Sequence, residues 1–375
     1  MENKTNPIQH LNRISALDGL KGIASIIIVA FHVLGVGVLD ISNNLQFIPK
    51  YFAFGVAIFL IISAFSLSLN YDNKINSSSS FLAYFLNRYA RITPLFLFMM
   101  IVWIFINNIN FKTSVTYNDI IINIFYLYNF IPSKYAGIIW ASWPIGVLFI
   151  FYLVFPLIII VNKSIKSAIV IQCIFIMIGY SIYSFFNNLY YPPAYPYSCF
   201  FSQLPIFGFG IIMYYLFKSS NLKKSDRILI SIIGLIGIFI AFYVLSKLFS
   251  YELKILVNDK INNNIGYYYI MGLFMAFFIY SQCLYSIPVI DNIITRFYGK
   301  ISYSLYLLHP FVIYKLKAFY QSIYSIDGIS KDIAYFLCFI MTLIIVTPLA
   351  YLFNKIFEER ASFMIKTLLK PVFKI

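Results

Sequence analysis

Long apolar runs separated by short polar segments recur along almost the whole chain. A helix needs about 20 mostly apolar residues to cross the ~30 Å hydrocarbon core of a bilayer. With their flanking residues, ten runs reach or approach that length. The pattern predicts an all-α integral membrane protein with about ten transmembrane helices. The predicted spans are 20–39, 51–69, 91–109, 144–162, 167–186, 201–218, 227–248, 265–282, 302–319 and 333–356.

One weaker apolar stretch, Ile120–Phe130, is too short and too polar at its edges to span. We expect it to be re-entrant or to lie at the membrane interface. Because the polar segments between the runs are short, the sequence predicts a single transmembrane domain over residues 1–375. The sequence shows no convincing internal repeat, which disfavours transporters that are built from inverted halves.

Composition supports the membrane class, since 61% of the residues are hydrophobic and only 11% are charged. If the N-terminus is cytoplasmic, 19 of the 28 lysines and arginines fall on cytoplasmic segments. This asymmetry predicts that both termini face the cytoplasm. The net charge of +15 is then mainly a topology signal. We therefore expect a multi-pass protein of the inner (plasma) membrane that contacts lipids and has no nucleic-acid partner.

The four cysteines show no metal-binding or redox spacing, and all lie in or beside apolar runs. We expect them to be small buried hydrophobic residues. The sequence predicts no metal site.

His32 lies inside the first apolar run and follows Lys21 by eleven residues. On a helix, eleven steps make about three full turns and a rise of about 16 Å, so the two side chains share a face. This places Lys21 at the membrane edge and the imidazole about half-way across. Ionisable groups at such depth usually line a cavity or a pathway. The alternative is a packing histidine that hydrogen-bonds a neighbouring helix.

Arg88 and Arg91 open the third run and share a helix face, because they are three residues apart. Two guanidinium groups at the cytoplasmic mouth suit a polyanionic ligand, since guanidinium pairs bidentately with phosphate. The alternative is that both are ordinary topology charges.

His309 lies past the middle of the ninth run and is followed by Pro310, which frees a backbone carbonyl. It is either a packing residue that uses that carbonyl or a functional residue at depth. The tyrosine- and proline-rich loop Asn187–Ser198 likewise has two interpretations. It is either an interfacial aromatic belt or part of a sugar-binding rim.

Several segments, in order along the chain, resemble motifs of the acyltransferase 3 family of polytopic membrane acyltransferases. The first motif is Leu17-Asp18-Gly19-Leu20-Lys21-Gly22 ending in His32, and the ninth-helix motif is Ile301–Pro310. The supporting matches are Gly55, Phe59, Ser63 and Phe65, Arg88 with Arg91, Trp143, Phe151–Pro156, Leu204–Gly208 and Glu358.

The resemblance implies transfer of an acyl group, commonly acetyl, from cytosolic acyl-CoA to a hydroxyl of a cell-envelope polysaccharide or its lipid-linked repeat unit. Acetyl-CoA is then the donor substrate, and an envelope glycan or a polyprenyl-linked sugar is the acceptor. By the same resemblance His32 is catalytic, and Lys21, Arg88 and Arg91 bind the CoA phosphates. The residues expected to contact substrate or support the site are Trp143, Tyr152, Ser302, Tyr303 and His309.

One departure from the family pattern affects this interpretation. Where the fourth-helix motif has paired glutamates, this chain has Leu148 and Phe149. If a carboxylate normally orients His32 or holds the acceptor, a neutral group must do so here. The departure favours an alternative, a non-catalytic or transport protein on the same scaffold that handles acylated or polyprenyl-linked sugars. The joint presence of Lys21, His32 and the arginine pair favours the enzyme.

Overall fold

Long apolar helices joined by short loops make up the whole described chain, and no strand occurs in it. The computed structural model describes residues 14–37, 39–110, 114–189, 192, 194–248 and 265–373. Residues 190, 191 and 193 of the tyrosine-rich loop lie outside these ranges. The prediction of an all-α membrane protein is confirmed.

The α-helices are numbered here in chain order. They are α1 (Ser15–Gly37), α2 (Phe47–Tyr51), α3 (Gly55–Tyr71), α4 (Ser78–Asn110), α5 (Tyr117–Ile124), α6 (Trp143–Val161), α7 (Ile165–Asn188), α8 (Tyr195–Ser198), α9 (Phe200–Ser219), α10 (Lys224–Leu248), α11 (Ile265–Leu284), α12 (Ile293–Tyr324), α13 (Lys331–Phe353) and α14 (Ser362–Phe373).

Nine of the helical segments within the described ranges are long and apolar enough to cross a membrane. The predicted span 302–319 falls in α12, which is 32 residues long but does not belong to the nine. It carries four basic residues and several buried polar ones, which lower its hydropathy. Because α12 packs against α1 and α13, its buried polar side chains, Thr295, Ser302, Ser304 and His309, face protein rather than lipid.

Glycines let α1 and α12 approach each other very closely. A Cβ added at Gly22 would overlap the Thr295 carbonyl oxygen, and one added at Gly299 would overlap the Asp18 carbonyl oxygen. Small residues at such positions are how membrane helices bring their backbones together. The glycines of the first motif therefore set the distance at which side chains of α1 meet those of α12.

The segment between α4 and α6 is short-helical and folds into the protein. Its helix α5 has eight residues, as expected for the stretch predicted not to span. Beyond α5, Tyr126 and Tyr128 are fully buried. Asn129 is also fully buried; its side chain donates to the Ser198 carbonyl and accepts from the Phe200 backbone N–H. This loop therefore packs into the bundle rather than lying flat on its surface.

The last long helix does not end at residue 356. After α13 the chain continues as a π-helix, Asn354–Ala361, before α14 begins. The wider turn directs Asn354 and Glu358 into the protein, where both are buried. Such π-helical turns are frequent at functional sites. Two of the four cysteines, Cys199 and Cys338, are buried as expected, whereas Cys173 is exposed on α7.

Candidate active site

The two histidines that lie in apolar runs meet between α1 and α12. The Nδ1 atom of His32 lies 2.9 Å from the Nε2 atom of His309. The other ring nitrogen of His309, Nδ1, lies 3.2 Å from the carbonyl oxygen of Leu305. The structure thus joins two residues that are 277 positions apart in the sequence.

These contacts define the tautomer of each neutral ring. A carbonyl only accepts hydrogen bonds, so Nδ1 of His309 carries the hydrogen and its Nε2 is an acceptor. Nδ1 of His32 must then carry a hydrogen and donate it to His309. This leaves Nε2 of His32 with its lone pair, as a general base requires.

The two rings differ in exposure. His309 is fully buried, whereas His32 is partly exposed. His32 lies five residues before the end of α1 at Gly37, so it is nearer that end of the helix than the end where Lys21 lies. Its ring also contacts Trp140, with ring centroids 5.4 Å apart. The accessible member of the pair is therefore the one whose Nε2 carries the lone pair.

A large cavity of about 1350 Å³ extends from the Lys21 end of the bundle toward the histidine pair. Six of the predicted site residues line it: Lys21, Arg88, Arg91, Tyr152, Ser302 and Tyr303. Within the described chain, His32, His309 and Trp143 are not part of this lining. Tyr306 is, and its ring lies 5.4 Å from that of His309. Tyr306 therefore stands between the cavity and the histidines.

Positive charge predominates in the cavity. Seven lysines and arginines line it against four carboxylates. The ion pairs are Lys21 with Asp18 at 3.8 Å, Arg91 with Glu358 at 3.8 Å, Lys218 with Asp72 at 2.5 Å and Lys300 with Glu359 at 3.0 Å. The excess of cations favours a ligand with several negative charges.

Arg88 is held in a fixed orientation by aromatic residues. Its guanidinium donates to the Tyr71 hydroxyl at 3.0 Å, and it lies 5.3 Å and 6.0 Å from the ring centroids of Tyr71 and Tyr152. The Nε atom of Arg88 is buried and has no hydrogen-bond partner in the described residues. A buried donor without a partner is costly, so this atom is available to a bound acceptor.

Arg91 and Glu358 form the next part of the cavity wall. Ser304 donates to the Glu358 carboxylate from its hydroxyl at 2.6 Å and from its backbone N–H at 3.2 Å. The carboxylate thus joins α12 to Arg91 of α4, whose side chain is 52% exposed. This arrangement leaves the guanidinium partly accessible to a ligand in the cavity.

Comparison with known proteins identifies the family of the chain. Residues 14–354 match the family model described as an acyltransferase domain, acyltransferase 3. The chain belongs to the acyltransferase 3 family. It is therefore an acyltransferase, and the resemblance found in the sequence is confirmed.

The acyltransferase is also similar to the protein named "Putative acetyltransferase ORF330" of Acidianus two-tailed virus. The two are 25% identical over 301 residues, which cover 77% of this chain and 80% of the viral protein. No solved structure matches the acyltransferase chain.

Three of the predicted site residues have structural partners in this acyltransferase. The Trp143 ring packs on Tyr197, with centroids 5.5 Å apart, and does not reach the histidine pair. Ser302 donates to the Gly299 carbonyl at 2.9 Å, and Tyr303 donates to the Ile92 carbonyl at 2.6 Å. The hydroxyl hydrogen of Ser302 is thus used within α12 and that of Tyr303 between α12 and α4, while both side chains line the cavity.

The positions of the missing glutamates are occupied in two different ways. Leu148 faces the cavity. Phe149 is buried and stacks on Tyr126, with ring centroids 4.0 Å apart. A neutral group, the imidazole of His309, lies within hydrogen-bonding distance of His32, where the sequence indicated that a neutral group must replace the carboxylate.

Two residues of this site were missed in the sequence. Trp140 contacts His32 from the loop before α6, and no spacing rule connects it with α1. Tyr306 precedes His309 by three residues, so it lies on the same face of α12. That spacing was a signal that could have identified Tyr306 from the sequence.

Proposed function

We propose that this membrane acyltransferase moves an acetyl group from cytosolic acetyl-CoA to a hydroxyl of a cell-envelope glycan or its polyprenyl-linked repeat unit. Its proposed location is the inner membrane, with both termini and the cation-lined mouth of the cavity on the cytoplasmic side. The observation that carries the proposal is the placement of the histidine pair beyond the end of a cavity whose mouth is rich in cations.

In this proposal Lys21, Arg88 and Arg91 bind the phosphates of CoA. The cavity holds the extended acyl-pantetheine chain, and its volume of about 1350 Å³ exceeds that of a typical ligand pocket, roughly 300–1,000 Å³. Lys21 and His32 are eleven residues apart, about 16 Å along the helix. The thioester reaches the histidine by passing Tyr306.

The reaction is an acyl transfer in which His32 moves one proton. The acceptor hydroxyl oxygen attacks the thioester carbonyl carbon while Nε2 of His32 takes the hydroxyl proton. The carbon–sulfur bond then breaks, and the imidazolium returns the proton to the departing sulfur. The products are an acyl ester of the acceptor and the free CoA thiol. The hydrogen bond from Nδ1 to His309 holds the ring in the required tautomer throughout.

Replacing His32 by alanine tests the proposal. Without the general base we expect transfer to fall by about 10²–10⁴-fold. Transfer is measured with purified protein, radiolabelled acetyl-CoA and host envelope glycan, and the glycan's O-acetyl groups are quantified by NMR. Ser25→Ala is the matched control, because it removes a buried polar group from α1 whose hydroxyl bonds the Gly22 carbonyl. Wild-type transfer by the His32→Ala protein at equal expression would overturn the catalytic assignment.

A further inference from the structure

Trp140 is an exposed tryptophan that lies against His32. Its side chain remains 39% exposed, although its ring centroid is 5.4 Å from that of the imidazole. Trp140 does not line the described cavity, which meets the histidines from the side of Tyr306. The face of His32 that Trp140 covers is therefore separate from the route we propose for the acyl donor.

The backbone that presents Trp140 is held in an unusual conformation. Ala141 has a φ of +62°, a left-handed conformation that non-glycine residues seldom adopt. The Ala141 carbonyl accepts a hydrogen bond from the Tyr306 hydroxyl at 2.8 Å, and the next carbonyl, Ser142, accepts one from Tyr128 at 2.8 Å. Such conformations persist where the surroundings enforce them, and they cluster at functional sites.

An ion pair fixes the start of the same loop. Lys134 lies 2.5 Å from the Asp119 carboxylate, which also closes the capping box of α5 with Thr116. Partial burial would raise the pKa of Asp119, but the hydrogen bonds from Lys134 and Thr116 outweigh it and hold the pKa below its usual value. The loop between α5 and α6 is thus fixed by specific side-chain interactions.

We propose that Trp140 is the platform of the acceptor site, where it packs against the apolar face of a pyranose ring and presents a ring hydroxyl to Nε2 of His32. The inference rests on the proposed function and adds a location for the acceptor. A tryptophan suits this ligand, because it offers a broad apolar surface together with one N–H donor. The donor phosphates are bound at the cation-lined end, about 16 Å away along α1.

The aromatic surroundings support a sugar site rather than a lipid-facing belt. Trp143 begins α6 just after Trp140 and packs on Tyr197, and Tyr135 of the same loop packs on Tyr195 at 5.8 Å between centroids. A belt residue presents its ring to lipid headgroups, whereas the Trp140 ring is in a T-shaped contact with the imidazole of His32. Tyr195 and Tyr197 belong to the loop that was considered in the sequence either as a belt or as part of a sugar-binding rim.

The test uses the purified full chain in nanodiscs, with acetyl-CoA as donor and methyl glucoside, galactoside, mannoside and rhamnoside as acceptor probes. We expect Trp140→Ala to raise the KM for the accepted pyranoside by roughly tenfold, the order of one aromatic contact. Trp140→Phe keeps a ring and should restore most of the affinity. The KM for acetyl-CoA should stay close to wild type, because the donor phosphates are bound at the cation-lined end of the cavity.

Phe130→Ala is the matched control. Phe130 is an aromatic residue of the same loop, 42% exposed, but it packs on Phe200 and Phe201 instead of His32. Its removal should leave the pyranoside KM unchanged. The inference is overturned if Trp140→Ala leaves the pyranoside KM unchanged, if it raises both KM values equally, or if no pyranoside is acetylated while acetyl-CoA hydrolysis still depends on His32. Failure of the proposed function is distinct, since His32→Ala would then retain full activity.

Discussion

At the residue scale, the chemistry of His32 depends on which ring nitrogen carries the hydrogen. The Leu305 carbonyl fixes the tautomer of His309, and His309 in turn fixes that of His32. A carboxylate in the place of His309 would stabilise the imidazolium more strongly, because its bond to the ring is charge-assisted. A neutral acceptor still fixes the orientation of the His32 ring. Leu148 faces the cavity, so a glutamate there would face the donor pathway rather than replace His309.

Replacing His309 separates orientation of the base from binding of the donor. His309→Phe keeps an aromatic ring but removes the acceptor for Nδ1 of His32. A lost neutral hydrogen bond is worth about 0.5–1.5 kcal/mol, so we expect kcat to fall by roughly two- to tenfold. His309→Gln keeps an acceptor and should recover part of kcat. Steady-state kinetics should show the KM for acetyl-CoA unchanged in both variants. A rise in that KM equal to the fall in kcat would indicate a general packing defect instead.

The sequence identified both histidines separately, because ionisable residues in apolar runs stand out from their surroundings. It could not predict that they pair, since the contact depends on the separation and rotation of α1 and α12. Trp140 could not be predicted either, because it reaches His32 from a loop with a left-handed residue at Ala141. Such a loop conformation has no periodic pattern from which it could be recognised.

At the scale of elements, the glycines of the first motif explain why the histidines meet. Gly22 and Gly299 lie where the backbones of α1 and α12 touch, and neither position has room for a Cβ. The two helices are parallel, so this contact near their beginnings continues to His32 and His309 farther along. The glycines are therefore structural, and the geometry of the histidine pair depends on them indirectly.

Alanine substitutions in α1 test this dependence. Gly22→Ala should force the helices apart, at a cost of about 1–3 kcal/mol that is typical of overpacking. We expect a lower melting temperature in detergent and reduced acetyl transfer. Gly35→Ala is the control on the same helix, since a Cβ there meets nothing within 4 Å. It should leave stability unchanged or improve it slightly, because glycine weakens helices. Equal stability of the two variants would contradict the packing argument.

Most helices were predictable, because hydropathy alone identifies segments that fit the bilayer. The helical segments that hydropathy did not predict correctly are those surrounded by protein instead of lipid. Helix α12 carries polar residues because α1 and α13 cover it, so its hydropathy understates its burial. The π-helix after α13 places Glu358 beside Arg91, and an apolar run does not encode such a change of helical pitch.

At the scale of the whole molecule, the site has two ends with different chemistry. One end of the cavity carries seven cations, and beyond its other end lies the pair of imidazoles of His32 and His309. The cation-lined end can hold the polyanionic part of the proposed donor, and the rest of the cavity can hold its neutral part. A hydroxylated acceptor can approach His32 from the side of Trp140, at the opposite end of α1 from Lys21.

Replacing Arg88, the arginine that contacts Tyr71 and Tyr152, should weaken binding of the donor and leave other steps unchanged. Arg88 contacts Tyr71 and Tyr152, and its buried Nε has no hydrogen-bond partner within the described ranges, so the proposed phosphate would meet a guanidinium that is already oriented. Hydrogen bonds to charged groups are worth about 1.5–3 kcal/mol, so Arg88→Ala should raise the KM for acetyl-CoA by roughly 10- to 100-fold. Arg88→Lys should rescue it only partly, because an ammonium lacks the planar fork. Calorimetric titration with CoA measures the same loss directly.

The control for this last experiment must remove a charge near the same end of the molecule without altering the cavity. Arg360 meets both conditions, because it is exposed in the π-helix and does not line the cavity. If the overall positive field alone captures CoA, Arg360→Ala and Arg88→Ala should weaken binding to a similar extent, and added salt should reduce the difference from wild type in both. If Arg88 contacts a phosphate, the loss should be confined to Arg88→Ala and should persist at high salt. Equal effects of the two substitutions would show that the arginine pair acts only through its charge.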